Sequence, residues 1–226
     1  MRAIRELIAE HKWFIALVLC MIMLRSAIAD WYGVPSGSMY PTVLIGDRVL
    51  SNRLAYDLKI PFTDVIVKRI ADPQRGDIVT FTSPEDGIRL VKRVVAVPGD
   101  VVEMRDDELL VNGVQATYTV AEETVAARLV PDYRDPQVTL NERIFGHQRT
   151  ILLMPQRKAL RSFRAVTVPA GAYLVLGDNR NNSKDSRYIG FIKRELLTGQ
   201  VERVILSLDA ENYYLPRMER FGVALN

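Results

Sequence analysis

RLVKRVVAV, residues 89–97, decides the fold. At the two-residue period of a strand it places Leu90, Lys92, Val94 and Ala96 on one face and Val91, Arg93, Val95 and Val97 on the other. Each face carries one cation among apolar neighbours. A lysine in such company has two readings. If buried, it loses the hydration that favours its charged form, its pKa falls, and the neutral amine can accept a proton. If the strand is an edge, the amine reaches past its stem into water.

Runs of the same kind lie on both sides. DIVTF (77–81), residues 100–104 and 109–111, residues 149–154, AYLVL (172–176) and VERVILSL (201–208) are short and rich in β-branched residues, with Gly, Pro or Asn-Gly between them. Asn112-Gly113 is the favoured two-residue hairpin turn. Helix signals after residue 30 are weak, and the best are 120–129 and 193–197. The body of the chain is therefore expected to be mainly β.

Composition sets the outer limits. A chain of 226 residues with 48% hydrophobic and 25% charged residues can bury a core, as one domain with an inserted subdomain. The net charge of +3 gives no reason to expect nucleic acid as a partner. The single cysteine, Cys20, allows no intramolecular disulfide, and with His11 and His147 as the only histidines a zinc site of His and Cys is not expected. Six bases between residues 143 and 177, with no acid, suit either anionic head groups or an ordinary solvated face.

The amino-terminal end differs in kind. Arg2, Arg5 and Lys12 precede WFIALVLCMIML (13–24), which has no polar break. Counted on to Ala29 this stretch has about 17 residues, roughly 25 Å as a helix, the short end of what crosses a bilayer. Arg25 lies near the far end, where its stem can carry the guanidinium to the interface. Ala27-Ile28-Ala29 also fits the A-x-A pattern of a cleaved secretory signal, but Arg25 sits where such a signal stays neutral, which favours an uncleaved anchor. The expectation is a cytoplasmic segment over 1–12, a transmembrane anchor over 13–29 and an extracytoplasmic domain over 30–226, with Trp31 and Tyr32 at the interface.

Two polar segments remain. VPSGSMYPT (34–42) is a turn-rich loop with two serines, and nine residues from the anchor's end keep Ser38 within roughly 30 Å of the membrane surface. GDNRNNSKDSRYIG (177–190) is dense in short polar side chains that fix a loop by hydrogen bonds to its own backbone, and it lacks the spacing of a calcium loop.

With these segments in view, the chain resembles the bacterial type I signal peptidases, the membrane-bound leader peptidases. The resemblance rests on five blocks in the family's order: PSGSMYPT (35–42), IGDRVL (45–50), RGDIVTF (75–81), VKRVVAVPGD (91–100) and LGDNRNNSKDSRYIGF (176–191). It implies an antiparallel, partial-barrel catalytic domain with a smaller β-rich insert at about 105–165. It also implies a Ser/Lys dyad, with Ser38 the nucleophile and Lys92 the general base, and an oxyanion hole made by the Ser36 hydroxyl and the Ser38 backbone N–H. Ser183 would hydrogen-bond and orient the lysine, Asp185, Arg187 and Arg93 would form a supporting charged group, and Gly177, Asp178 and Asn179 would complete that motif. No metal or cofactor is implied. The partners would be membrane lipid and exported preproteins, cut after A-x-A-like sites at the outer face of the cytoplasmic membrane. Two other readings stand beside this one: a Ser/Lys peptidase dedicated to one substrate, such as a conjugative pilin, and a membrane-tethered β domain that binds without cutting. Having Ser38, Lys92, Ser36 and Ser183 together weighs against the second.

Overall fold

The computed structural model describes residues 10–63, 65–122, 125–131, 133 and 135–225, so Arg2 and Arg5 of the expected cytoplasmic segment lie outside the described residues. The protein is mainly β. Its largest sheet is antiparallel throughout and runs in the order Ala29–Gly33, Asp47–Asn52, Leu197–Asp209, Ile78–Thr82, Arg89–Ala96, Ala172–Leu176, Ile192–Lys193, with Leu215–Pro216 added on Leu197–Asp209. Register shifts interrupt the long strand between Val201 and Arg203, between Val204 and Leu206, and between Leu197 and Gly199. Another falls between Leu174 and Val175. Each such irregularity bends its strand and steepens the twist, and together they curl the sheet into a half-barrel.

The strand that opened the reading lies inside this sheet. Arg89–Ala96 pairs with Ile78–Thr82 from Arg89 to Arg93, but with Ala172–Leu176 only from Arg93 onward. The edge of its first four residues is therefore unpaired on that side, and this gap is where the site forms. All five residues of Ala172–Leu176 are buried, as expected of a strand covered on both faces.

Two smaller sheets follow. Phe163–Thr167, Val101–Arg105, Glu108–Val111 and Val114–Gln115 form one, and Thr117–Val120, Val138–Ile144 and His147–Leu153 the other. Asn112 and Gly113 both take positive φ, 52° and 77°, between Val111 and Val114, the geometry of a type I′ turn. These sheets share a core with the large one: Val95, Ala96 and Leu176 pack with Met104, Leu109 and Ile144.

Three expectations change. The helix expected over 120–129 begins as the strand Thr117–Val120, which pairs with Val138–Ile144, and only Val125–Arg128 is helical; residues 123 and 124 lie outside the described residues. Over 193–197 the only helix is the single 3-10 turn Arg194–Leu196. The apolar segment forms the helix Lys12–Ala27, which stops before the expected end of the anchor, because the Ile28 carbonyl accepts from the Arg53 N–H and Ala29 opens a strand paired to Asn52. That helix has 16 residues, and among the described residues none is long and apolar enough to cross a membrane.

Candidate active site

Ser38 sits in the loop between the first two strands, and its neighbours hold that loop to the core. Val34 N–H donates to the Asp47 carbonyl at 2.9 Å, closing the loop at its base. Met39, Val43 and Leu44 are buried, so the chain after the serine cannot swing out without exposing them. The loop is also gripped from above. Asn179 donates its side-chain Nδ2 to the Gly37 carbonyl at 2.9 Å and its backbone N–H to the Ser38 carbonyl at 3.1 Å. Ser38 itself is half-buried and Ser36 is exposed.

Lys92 arrives from the side, on the strand segment whose edge is open. Its Nζ donates to Ser38 Oγ at 2.7 Å and to the Val91 carbonyl at 2.9 Å. The residue is 2% exposed. Burial drives its pKa down to about 8, with the nearby carboxylates of Asp185 and Asp178 pulling the other way. A neutral amine at this distance presents its lone pair to the serine hydroxyl, so the same contact serves for proton removal. The two residues line a mostly apolar cleft of about 280 Å³ together with Tyr32, Val34, Ser36 and Leu90.

Gly177 is where the polar loop and the serine loop come closest. A methyl group built on its Cα would lie 2.4 Å from the Ser38 carbonyl oxygen and 2.2 Å from Ser183 Oγ, so no other residue fits without moving the Ser38 backbone or the Ser183 side chain. Gly177→Ala is expected to lower kcat/KM by about 10²-fold, the scale on which a displacement of about 1 Å acts. Steady-state assays beside a circular-dichroism check of folding would test this, and activity near wild type would show that the loop yields freely.

Residues 6–206 match a family model described as signal peptidase, peptidase S26. Signal peptidase I of Pseudomonas aeruginosa is 35% identical over 233 residues, covering 96% of this chain and 79% of the relative. Signal peptidase I of Pseudomonas fluorescens is 32% identical over 235 residues, with the same coverage of both chains. That of Aquifex aeolicus is 31% identical over 212 residues, covering 81% and 78%. The chain belongs to the signal peptidase family.

For this signal peptidase the structure brings together most of the residues that the resemblance singled out, in arrangements the sequence did not specify. Ser183 is the exception. Its hydroxyl is buried against Gly177 and has no hydrogen-bond partner among the described residues, so the expected bond to Lys92 is not made, and the amine donates to the Val91 carbonyl instead. The charged group is two pairs, not one. Arg93 binds Asp178 through Nε at 3.0 Å and Nη2 at 2.8 Å, with Nη1 on the Gly76 carbonyl. Arg187 binds Asp185 at 2.8 Å, and Asp185 accepts from the Gly177 N–H at 3.0 Å, which ties this pair to the glycine below the serine.

Sequence reasoning missed two contributors. Thr42 Oγ1 donates to Asp178 Oδ2 at 2.5 Å, joining the serine loop to the polar loop. Glu142 is fully buried between Arg149 and Arg180; burial would raise its pKa, yet the two guanidinium groups hold it down at about 2. Arg149 had been counted among the bases of residues 143–177, and Arg161 likewise pairs with Asp107 at 2.6 Å. That run is therefore not one uniform basic face. An acid on the inward face of a strand was the signal for Glu142, and without the partner's position it cannot be told from an exposed one.

Proposed function

We propose that this signal peptidase cleaves its substrates with Ser38 as nucleophile and Lys92 as general base, and so removes amino-terminal signal peptides from exported preproteins. The observation that carries this is the 2.7 Å contact between Ser38 Oγ and an amine buried beside an open strand edge.

The chemistry runs in two halves. Lys92 takes the Ser38 hydroxyl proton as Oγ attacks the scissile carbonyl. Negative charge gathers on the carbonyl oxygen, and two donors are free to meet it: among the described residues neither the Ser36 hydroxyl nor the Ser38 N–H has an acceptor. The Lys92 ammonium then protonates the departing amine, and the C–N bond breaks to leave the signal peptide esterified to Ser38. In the second half Lys92 takes a proton from water, the hydroxide displaces Ser38, and the serine recovers its proton from the lysine. An amine that titrates near neutrality can be proton acceptor and donor in turn, so no histidine is called for.

The apolar helix Lys12–Ala27 is the membrane anchor in this reading, with residues 1–12 in the cytoplasm and residues 30–226 outside it. The insert spans about 105–165. The strand after the helix begins two residues beyond its end, which keeps the cleft close to the bilayer surface and confines enzyme and membrane-bound substrate to one plane.

The test is incubation of the detergent-solubilised protein with a precursor bearing an A-x-A site, beside Ser38→Ala. Cleavage after that site by the wild type and none by Ser38→Ala is expected; equal cleavage by both would remove Ser38 from the role. Ser36→Ala is expected to reduce turnover by about 10² to 10³ with KM little changed, the usual effect of removing one oxyanion donor. A loss under about tenfold would make Ser36 a turn residue only.

A further inference from the structure

The cleft beside Ser38 is mostly apolar, and besides Lys92 it is lined by one basic side chain, Arg89. Arg89, the first residue of the strand that carries Lys92, lines the same cleft as Ser38 and is exposed. Its guanidinium lies over the Tyr32 ring, with Cζ 4.9 Å from the centroid, and donates to the Tyr32 hydroxyl. Among the described residues no carboxylate is within ion-pair distance of it, whereas the other cations around the site, Arg93 and Arg187, are bound to Asp178 and Asp185. Asp30, the acid that acts on the same phenol, raises the Tyr32 pKa, while Arg89 lowers it.

The arrangement is that of a positioned guanidinium with its donors unspent. Stacking on Tyr32 fixes the plane of the fork and one N–H is used on the phenol, which leaves donors on a guanidinium that lines the cleft, in a planar fork that suits a carboxylate. The open edge makes such a ligand reachable. Arg89–Ala96 has no neighbour strand along residues 89–92 on the Ala172–Leu176 side, so an extended substrate segment can pair there with its scissile bond at the Lys92 end. Arg89 is three residues from Lys92, about 10 Å along a strand. With the first substrate residue beside Lys92, the residue beside Arg89 is the fourth from the scissile bond, outside the A-x-A pattern.

We propose that Arg89, stacked on Tyr32, is a specificity-determining residue that selects preproteins carrying an acidic side chain four residues from the cleavage point, outside the A-x-A pattern and within the segment that lies along the open edge. This inference rests on the Ser38/Lys92 reading and deepens it by naming a substrate feature. It places a second recognition element in the cleft, one that acts by charge and direction, while the apolar walls act by shape.

The test is a set of precursors identical except for Glu or Gln at the second or the fourth position on either side of the cut, with the A-x-A alanines kept, assayed for kcat/KM with wild type, Arg89→Gln and Arg89→Glu. Wild type is expected to favour Glu over Gln by about three- to tenfold at one of the two fourth positions, the range for a charge-assisted bond at a partly exposed site. Arg89→Gln should bring that ratio to about one, and Arg89→Glu should invert it and favour a Lys-bearing precursor at the same position. A Glu-to-Gln ratio that Arg89→Gln leaves unchanged at every position overturns the proposal, as does a wild type that shows no preference at any of them. The two readings fail separately: if Ser38→Ala still cuts the Gln precursor, the dyad is wrong, and if only the ratio is insensitive to residue 89, the dyad stands without the acid selection.

Discussion

Lys92→Arg is expected to be as inactive as Lys92→Ala, with a loss on the order of 10⁴-fold in kcat/KM. The substitution keeps the positive charge and most of the stem, so a role in holding Ser38 by charge alone would survive it. A role as base would not, because a guanidinium does not give up its proton in a protein. The pH profile of the wild type separates these further. With the amine titrating at about 8, the reactive neutral form is the minority below that value, so kcat/KM should fall about tenfold per pH unit well below 8 and level off above it. The sign follows from burial: removing water disfavours the ammonium, which lowers the pKa and puts the plateau within reach. An active arginine variant, or a profile flat from pH 6 to 9, would take Lys92 out of the proton transfer.

Asp178→Ala should cost about 3–5 kcal/mol of stability, the usual result of stranding one partner of a buried pair. Arg93 and Asp178 are 2% and 1% exposed, and the guanidinium has only the Gly76 carbonyl once the carboxylate is gone. Thr42 loses its acceptor in the same step, which loosens the serine loop. The variant also makes a prediction that stability alone does not. Asp178 is one of the two carboxylates that pull the Lys92 pKa upward, so its removal should move the rise in kcat/KM to lower pH in whatever fraction folds. Urea unfolding and a pH series on the same preparation measure both effects. Stability within about 1 kcal/mol of wild type would mean that water reaches Arg93 and that the pair is not sealed.

The contrast between these two residues shows which information is local. The strand at residues 89–97 is legible from alternation, and the turn at Asn112-Gly113 from its need for positive φ, because both are set by neighbours in sequence. The five blocks of the resemblance put Ser38 and Lys92 forward as a pair. Which of the two lysine readings holds was not legible. An amine that snorkels from an edge and an amine sealed under a polar loop have the same sequence around them, and only the packing of 177–185 over the strand decides between them. The pairing of charges shows the same limit. Arg93 and Arg187 could each have met either Asp178 or Asp185; the strand carrying Arg93 pairs with Leu176 at that residue, which brings Asp178 alongside it and leaves Asp185 to Arg187, two positions on.

The region 117–129 and the helix at 12–27 mark the other boundary. Thr117–Val120 is built of β-branched and aromatic residues that favour a strand, and Val138–Ile144 offers it a partner, so residue 120 belongs to a strand and not to a helix. The apolar run ends as a helix at Ala27, not at residue 29, because a neighbouring strand claims Ala29. The sequence by itself determined that the body is β, where its tightest turn falls, and which serine and lysine to watch. The tertiary structure alone decided that the lysine is buried, that Ser183 does not hold it, and which carboxylate answers which arginine, because the Lys92–Ser38 contact and the Arg93–Asp178 pair, which leaves Asp185 to Arg187, join residues more than fifty positions apart in the chain and no local pattern records them.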